Sequence, residues 1–477
     1  MTDAKPPSPF RLALLVAAVG AVAQVIYFLC APVIVSNDSV GYIRAALGLI
    51  ESGSFSDLEA VRTPGYPIFI AAIFCLSGKS IAAVALAQHL LLAMLAGLVC
   101  GTFQRRFGAT LSAGCGLLIC LDPFLGLYAQ WIISETPFCF ALTAALLAAL
   151  NAETRPRAWG FSGLLFGAAA LIRPNGLVAA ACTAGLLVLI CTLAKPSRKA
   201  YVKALAAFSA GLLVATIPWC IHRLAISGEI GLAKSETAFL RVQMLQHQMM
   251  FDPNLLEDEE LRSYYFELKQ EREKHTTEQK HFRRGFAFVF REHLQQSLSE
   301  RQIDDFYNDY LEHYMKSHAR EYFTQALNTL LNLLHLKNDY PSSLNPAHRY
   351  LLGEVPLLQQ VRSITATNDE FELLYQPKKL NALSTLWANV LIYLSSYMPL
   401  GGIIFTGFCI ITIASQAVRR TICLLDTLAL LIFFTQAAAY AYLLHTDDRY
   451  TLVLNPILYI QCALFIRYWV QRKSEQS

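Results

Sequence analysis

Charged residues are scarce in this sequence. Of its 477 residues 16% are Asp, Glu, Lys or Arg, against about 25% in soluble domains. That deficit excludes an ordinary soluble enzyme, a disordered chain and a nucleic-acid-binding protein. Disulfide and metal patterns are missing as well. The 12 cysteines lie in or beside apolar runs, none falls between Arg223 and Leu383, and no CxxC or Cys/His spacing occurs. They read as small buried hydrophobes. Nor is there a glycine-rich loop of the kind that cradles a nucleotide.

What is present in excess is apolar length. Hydrophobic residues make up 55% of the chain and the mean hydropathy is +0.40. They gather in runs long enough to cross a hydrocarbon layer about 30 Å thick at 1.5 Å per helical residue. Spans are expected near 11–33, 81–104, 108–125, 136–152, 159–172, 175–194, 203–222, 384–415, 421–444 and 451–467. The first is too long for the apolar core of a signal peptide and is read as retained.

Orientation follows from the basic residues. With the N-terminus inside, the inner segments carry Lys5 and Arg11, Arg105–Arg106, Arg155 and Arg157, Lys195 to Lys203, Arg419–Arg420 and Arg472–Lys473. Each is short and basic, as the positive-inside rule requires, so both termini are expected to be cytoplasmic. Segments 36–80, 223–383 and 445–450, with the turns at 122–135 and 173–175, then share the outer face. Activated nucleotides are normally absent there, so a group transferred at that face arrives on a carrier.

The expected division is a transmembrane catalytic module over 1–222 with its first outer loop at 34–80, an extracytoplasmic helical segment over 223–383, and transmembrane helices over 384–477. In the first outer loop, Asn37–Asp38 suits the start of an amphipathic helix that presents Val40, Ile43, Leu47 and Ile50 on one side. A second interfacial helix begins at Pro64. Residues 257–320 read as solvent-facing charged helices, and 321–336 as an amphipathic helix at the membrane surface.

Ionisable residues near the hydrocarbon edge are the candidates for chemistry, because placing a charge there is costly. Asp38 reads as a general base, an electrostatic partner or a helix cap. Glu135, in Ser134–Glu135–Thr136–Pro137, reads as a second acid or as helix-start chemistry, and Asp122, before Pro123, is a third acid. Arg62, Arg173, His445 and Arg449 are basic residues on the same outer face. Guanidinium groups there suit phosphate oxygens, or else lie along the surface as solvated side chains.

These residues fall in motifs. Asn37–Asp38 is followed by Tyr42 and Ala45–Ala46, then come Arg62-Thr63-Pro64-Gly65-Tyr66-Pro67, Ser134–Glu135, Arg173-Pro174-Asn175-Gly176, and Arg449–Tyr450 with Asn455–Pro456. In this order the chain resembles the integral-membrane GT-C glycosyltransferases that use polyprenyl-phosphate sugars, in the branch of the protein O-mannosyltransferases and aminoarabinose lipid A transferases. The first-loop motif departs from its relatives in having Ser39 after Asp38. The resemblance implies an all-α polytopic GT-C-like bundle with juxtamembrane helices. It further implies a polyprenyl-phosphate sugar donor, a glycan, glycolipid or protein acceptor, and a multi-pass location of bacterial inner-membrane type. Asp38 and Glu135 would be catalytic, and Arg62, Arg173, Arg449 and His445 would meet the donor phosphate. Tyr42, Tyr66, Asp122 and Tyr450 would line the substrate. No cofactor is required and a divalent cation is optional. The rival reading is a transporter or flippase of a lipid-linked or amphipathic substrate.

Overall fold

The computed structural model describes residues 8–55, 58, 62–152, 155–193, 198–228, 230–234, 237–247, 250–274 and 290–333, with single positions between 386 and 460. His445, Arg449, Tyr450 and nearly all of the last three expected spans lie outside the described residues. Ordered structure among the described residues is almost wholly helical. The exception is one isolated parallel bridge between Ile34 and Trp131.

The chain forms two compact units. The first comprises Met1–Lys234, Leu334–Ala437 and Asp447–Ser477, and the second Ser235–Leu333 with Ala438–Thr446. The first unit opens with α1 (Pro9–Cys30), whose first turn is closed by Ser8 Oγ accepting from Arg11 N. After α2 (Asn37–Ser52) and α3 (Gly65–Ser77) come α4 (Ile81–Phe107), α5 (Ala109–Leu121), α6 (Pro123–Gln130) and α7 (Glu135–Ala152). Then follow α8 (Pro156–Ile172), α9 (Gly176–Leu193) and α10 (Arg198–Ser227). The seven stretches expected as spans before residue 223 are all helical, although α8 and α9 are shorter than a full span. Helices α1, α4, α7 and α10 are each long and apolar enough to cross a membrane. The expected span 108–125 is instead a bent pair, α5 and α6, turning by 46° at Asp122–Pro123, where proline cannot continue the preceding hydrogen-bond ladder. This is a multi-pass integral membrane protein.

The cap of α2 differs from expectation. Ser36, one residue before Asn37–Asp38, holds the cap position, and its N–H donates to Ser39 Oγ at 2.8 Å. Asp38 is thereby left in the first turn, where the exposed backbone amides favour a carboxylate.

Within lipid, helices associate through close packing and not through hydrophobic exclusion, so small residues decide how near two backbones come. Helices α8 and α10 meet in this way: a Cβ on Gly163 would lie 2.0 Å from Phe208 O, and one on Gly211 2.0 Å from Gly160 O. No side chain fits at either position.

The second unit contains α11 (Thr237–His247), α12 (Glu259–Lys274) and α13 (Glu300–Leu333), the last broken by non-helical backbone at His318. The charged composition of this segment conceals an aromatic core of Phe239, Phe251, Tyr265, Phe290, Tyr307, Tyr310, Tyr314 and Tyr322. Tyr310 is tied into it, accepting from Asp252 N at 2.9 Å and donating to Asp252 O at 3.2 Å. Burial pushes its hydroxyl above the usual range.

Gly163→Val is expected to force α8 from α10 and cost about 1–3 kcal/mol, lowering the thermal midpoint of the purified protein by at least ~3 °C. Gly185→Ala, where nothing lies within 4 Å of the added carbon, is expected to leave it unchanged or slightly raised. Thermal unfolding of both variants in one detergent checks the pair.

Candidate active site

The site starts from the Ile34–Trp131 bridge. Past the end of α1 the chain runs extended beside the segment that leaves α6, with Ile34 N donating to Gln130 O at 3.0 Å and Ile132 N to Ile34 O at 2.9 Å. Trp131 Nε1 adds a bond to Ser36 Oγ at 3.0 Å. Because the two segments run parallel, each delivers a carboxylate four residues beyond the bridge, Asp38 in the first turn of α2 and Glu135 at the start of α7.

Each carboxylate meets an arginine from another part of the chain. Arg62 Nη2 lies 3.4 Å from Asp38 Oδ1, and Arg173 Nη1 lies 2.6 Å from Glu135 Oε1. The arginines are themselves held together, since Thr63 Oγ1 donates to Ile172 O at 3.0 Å and so ties the chain before α3 to the end of α8. Next to that tie a Cβ on Gly65 would fall 2.6 Å from Leu171 O, so only glycine lets the two segments approach this closely.

Two hydroxyl side chains connect the pairs. Arg173 Nη1 donates to Ser134 Oγ at 3.2 Å, and Ser134 Oγ lies 3.4 Å from Tyr42 Oη. The Tyr42 ring carries the Arg62 guanidinium 4.3 Å from its centroid. Asp38, Arg62, Tyr42, Ser134, Arg173 and Glu135 thus form one continuous chain of contacts. Its ends differ in exposure: the Asp38 side chain is 45% exposed, that of Glu135 only 3%. Asp38 is open to a reactant, whereas Glu135 is placed to hold Arg173.

The other sequence candidates divide. Tyr66 is buried behind the site, its ring edge-on to Tyr42 at 4.9 Å and its hydroxyl donating to Gln88 Oε1 at 2.9 Å. Asp122 joins a different set of contacts. It is buried and caps α6 by accepting from Phe124 N and Leu125 N, while its second oxygen accepts from Asn455 Nδ2 at 2.8 Å and Tyr459 Oη at 2.6 Å. His445, Arg449 and Tyr450 lie outside the described residues. Among the described residues no three His, Cys, Asp or Glu side chains come together.

Sequence reasoning passed over Ser134 as a connector, and over Gln88 and His89, two polar residues inside the apolar run of α4. Their presence at membrane depth was itself the available signal.

Removing one member of the Glu135–Arg173 pair strands a charge in a largely buried place. Arg173→Met is expected to cost about 3–5 kcal/mol, and the double variant Glu135→Gln/Arg173→Gln clearly less. Denaturation of the two proteins side by side checks the difference.

Residues 61–222 match the model of a family described as dolichyl-phosphate-mannose-protein mannosyltransferase. No curated protein matches the sequence. Two solved structures, ArnT from Cupriavidus metallidurans bound to undecaprenyl phosphate and ArnT from the same organism in the apo state, each align with TM-score 0.38 at 14% identity, over 93% of this chain and 77% of theirs. Over the stretch that carries Arg62, Glu135 and Arg173, the chain is similar to the dolichyl-phosphate-mannose-protein mannosyltransferase family, in keeping with the resemblance its motifs bear.

Proposed function

We propose that this protein is a membrane glycosyltransferase that moves a sugar from a polyprenyl-phosphate carrier to an acceptor hydroxyl at the outer membrane face. The observation that carries the reading is the joined pair of acid–guanidinium contacts, with Asp38 left half-open beside Arg62. The family match over the same stretch supports a lipid-phosphate-linked sugar as donor. The outer placement is supported by the opposite helix ends, where Arg105 and Arg106 close α4, Arg155 precedes α8 and Arg106 Nη2 donates to Leu150 O at 3.1 Å.

In the proposed reaction the acceptor oxygen attacks the anomeric carbon while the bond from that carbon to the phosphate oxygen breaks. The hydroxyl proton passes to Asp38, a step of a kind that contributes about 10²–10⁴-fold. The polyprenyl phosphate leaves with the electron pair of the broken bond. Arg62 and Arg173 offer guanidinium donors to the charge that gathers on it. Glu135 orients Arg173. No observation favours the transporter alternative: the acid–guanidinium pairs meet at one end of the bundle, whereas transporters bind near the middle of the bilayer.

Asp38→Asn is expected to reduce transfer at least ~10²-fold while donor binding persists. Full transfer by that variant, read as release of polyprenyl phosphate from a supplied polyprenyl-phosphate sugar, would overturn the mechanism. Arg62→Ala is expected to raise the donor KM about tenfold through loss of a charged phosphate contact; an unaltered KM counts against Arg62 as a phosphate ligand.

A further inference from the structure

The adjacent residues Gln88 and His89 are wholly buried in α4. A transmembrane helix needs neither, and burying an amide or imidazole is costly unless its hydrogen bonds are made. Gln88 has partners for both its amide groups, and both His89 ring nitrogens lie within hydrogen-bond reach of side-chain oxygens. Gln88 Nε2 donates to Ala129 O at 2.9 Å and to Trp131 O at 2.8 Å, while His89 Nε2 lies 2.8 Å from Gln130 Oε1. Three consecutive residues, the last two of α6 and Trp131 just beyond it, are therefore gripped by one dipeptide.

The grip extends to the partner segment. Gln130 Nε2 donates to Ala31 O at 2.6 Å, and His89 Nδ1 lies 2.6 Å from Gln24 Oε1 on α1. Gln24 is anchored in turn by donating to Cys120 O at 2.7 Å. Both sides of the Ile34–Trp131 bridge are thus referenced to α4, and through it the two carboxylates four residues further on.

We infer that Gln88 and His89 are positioning residues that set the placement of Asp38 and Glu135 by clamping the bridge. They touch no reactant. Their effect is on geometry, where a misplacement of about 1 Å is enough to cost about 10² in rate. The inference rests on the transferase reading for its kinetic consequence and on the hydrogen bonds alone for its structural one.

The test uses the full-length protein in nanodiscs, as Gln88→Met and Gln130→Met, with Asp38→Asn alongside. Gln130→Met leaves the Tyr66 contact intact and is the cleaner kinetic probe. The expected result is a fall in kcat of about 10–100-fold with the donor KM within about twofold. Amide exchange at Ile34 and Ile132 should accelerate at least tenfold, while protection in α8–α10 is unchanged. Unchanged exchange at those two amides overturns the clamp, and so does an unchanged kcat. Loss of protection throughout the helices overturns it as well, since that marks a general structural role. Should Asp38→Asn retain full transfer, or no transfer be found at all, the transferase reading fails by itself, and the exchange arm still decides the clamp.

Discussion

Two backbone hydrogen bonds, from Ile34 N to Gln130 O and from Ile132 N to Ile34 O, carry a disproportionate share of this architecture. Where a helix ends near the membrane edge, its freed amides and carbonyls need partners, and extended chain supplies them only by pairing. Pairing here is parallel, so each segment continues in the same direction into its own helix, α2 or α7. The carboxylates follow at equal intervals and arrive at the same end of the bundle. An antiparallel crossing of the same two segments would have sent α2 and α7 away in opposite directions, separating Asp38 from Glu135.

Bringing two carboxylates to one place creates a charge problem, and the arginines resolve it asymmetrically. Glu135 is nearly sealed and has Arg173 at 2.6 Å, a pair in which each charge needs the other once both are withdrawn from water. Asp38 keeps much of its surface, and its arginine stands off at 3.4 Å with its guanidinium lying over the Tyr42 ring. An ion pair so exposed is weakly coupled, which leaves the carboxylate accessible to a proton. The same fold thus produces one acid suited to holding a neighbour and one suited to acting on a reactant.

Much of the frame is legible in the residues. Runs of apolar length located α1, α4 and α7 to α10, and the placement of Asp38, Arg62, Glu135 and Arg173 at the outer ends of those runs nominated the four charged members of the site. The pairing was not legible. Which arginine meets which acid depends on the Thr63–Ile172 tie and on the glycine at position 65, tertiary facts with no local pattern. Asp122 shows the same limit, since its partners Asn455 and Tyr459 are 333 and 337 residues away in sequence. Gln88 and His89 do not stand out in the sequence because the run around them is apolar enough to absorb two polar residues without losing its character as a span. Asn and Asp are strong caps in general, yet the reciprocal serines at 36 and 39 prevail and set the cap of α2 one residue earlier.

Arg62 and Arg173 are held beside their carboxylates by backbone ties, and this bears on how a phosphate is received. A long basic side chain at a membrane surface ordinarily wanders, and gathering two of them around an anion carries a conformational cost of up to about 2 kcal/mol each. Here Arg62 rests on Tyr42, Arg173 bonds Ser134, and the hydroxyls of Tyr42 and Ser134 lie within reach of one another. The ordering is therefore complete before any anion arrives. In the proposed reaction an arriving phosphate competes with Asp38 for the Arg62 guanidinium, a contact already loose at 3.4 Å.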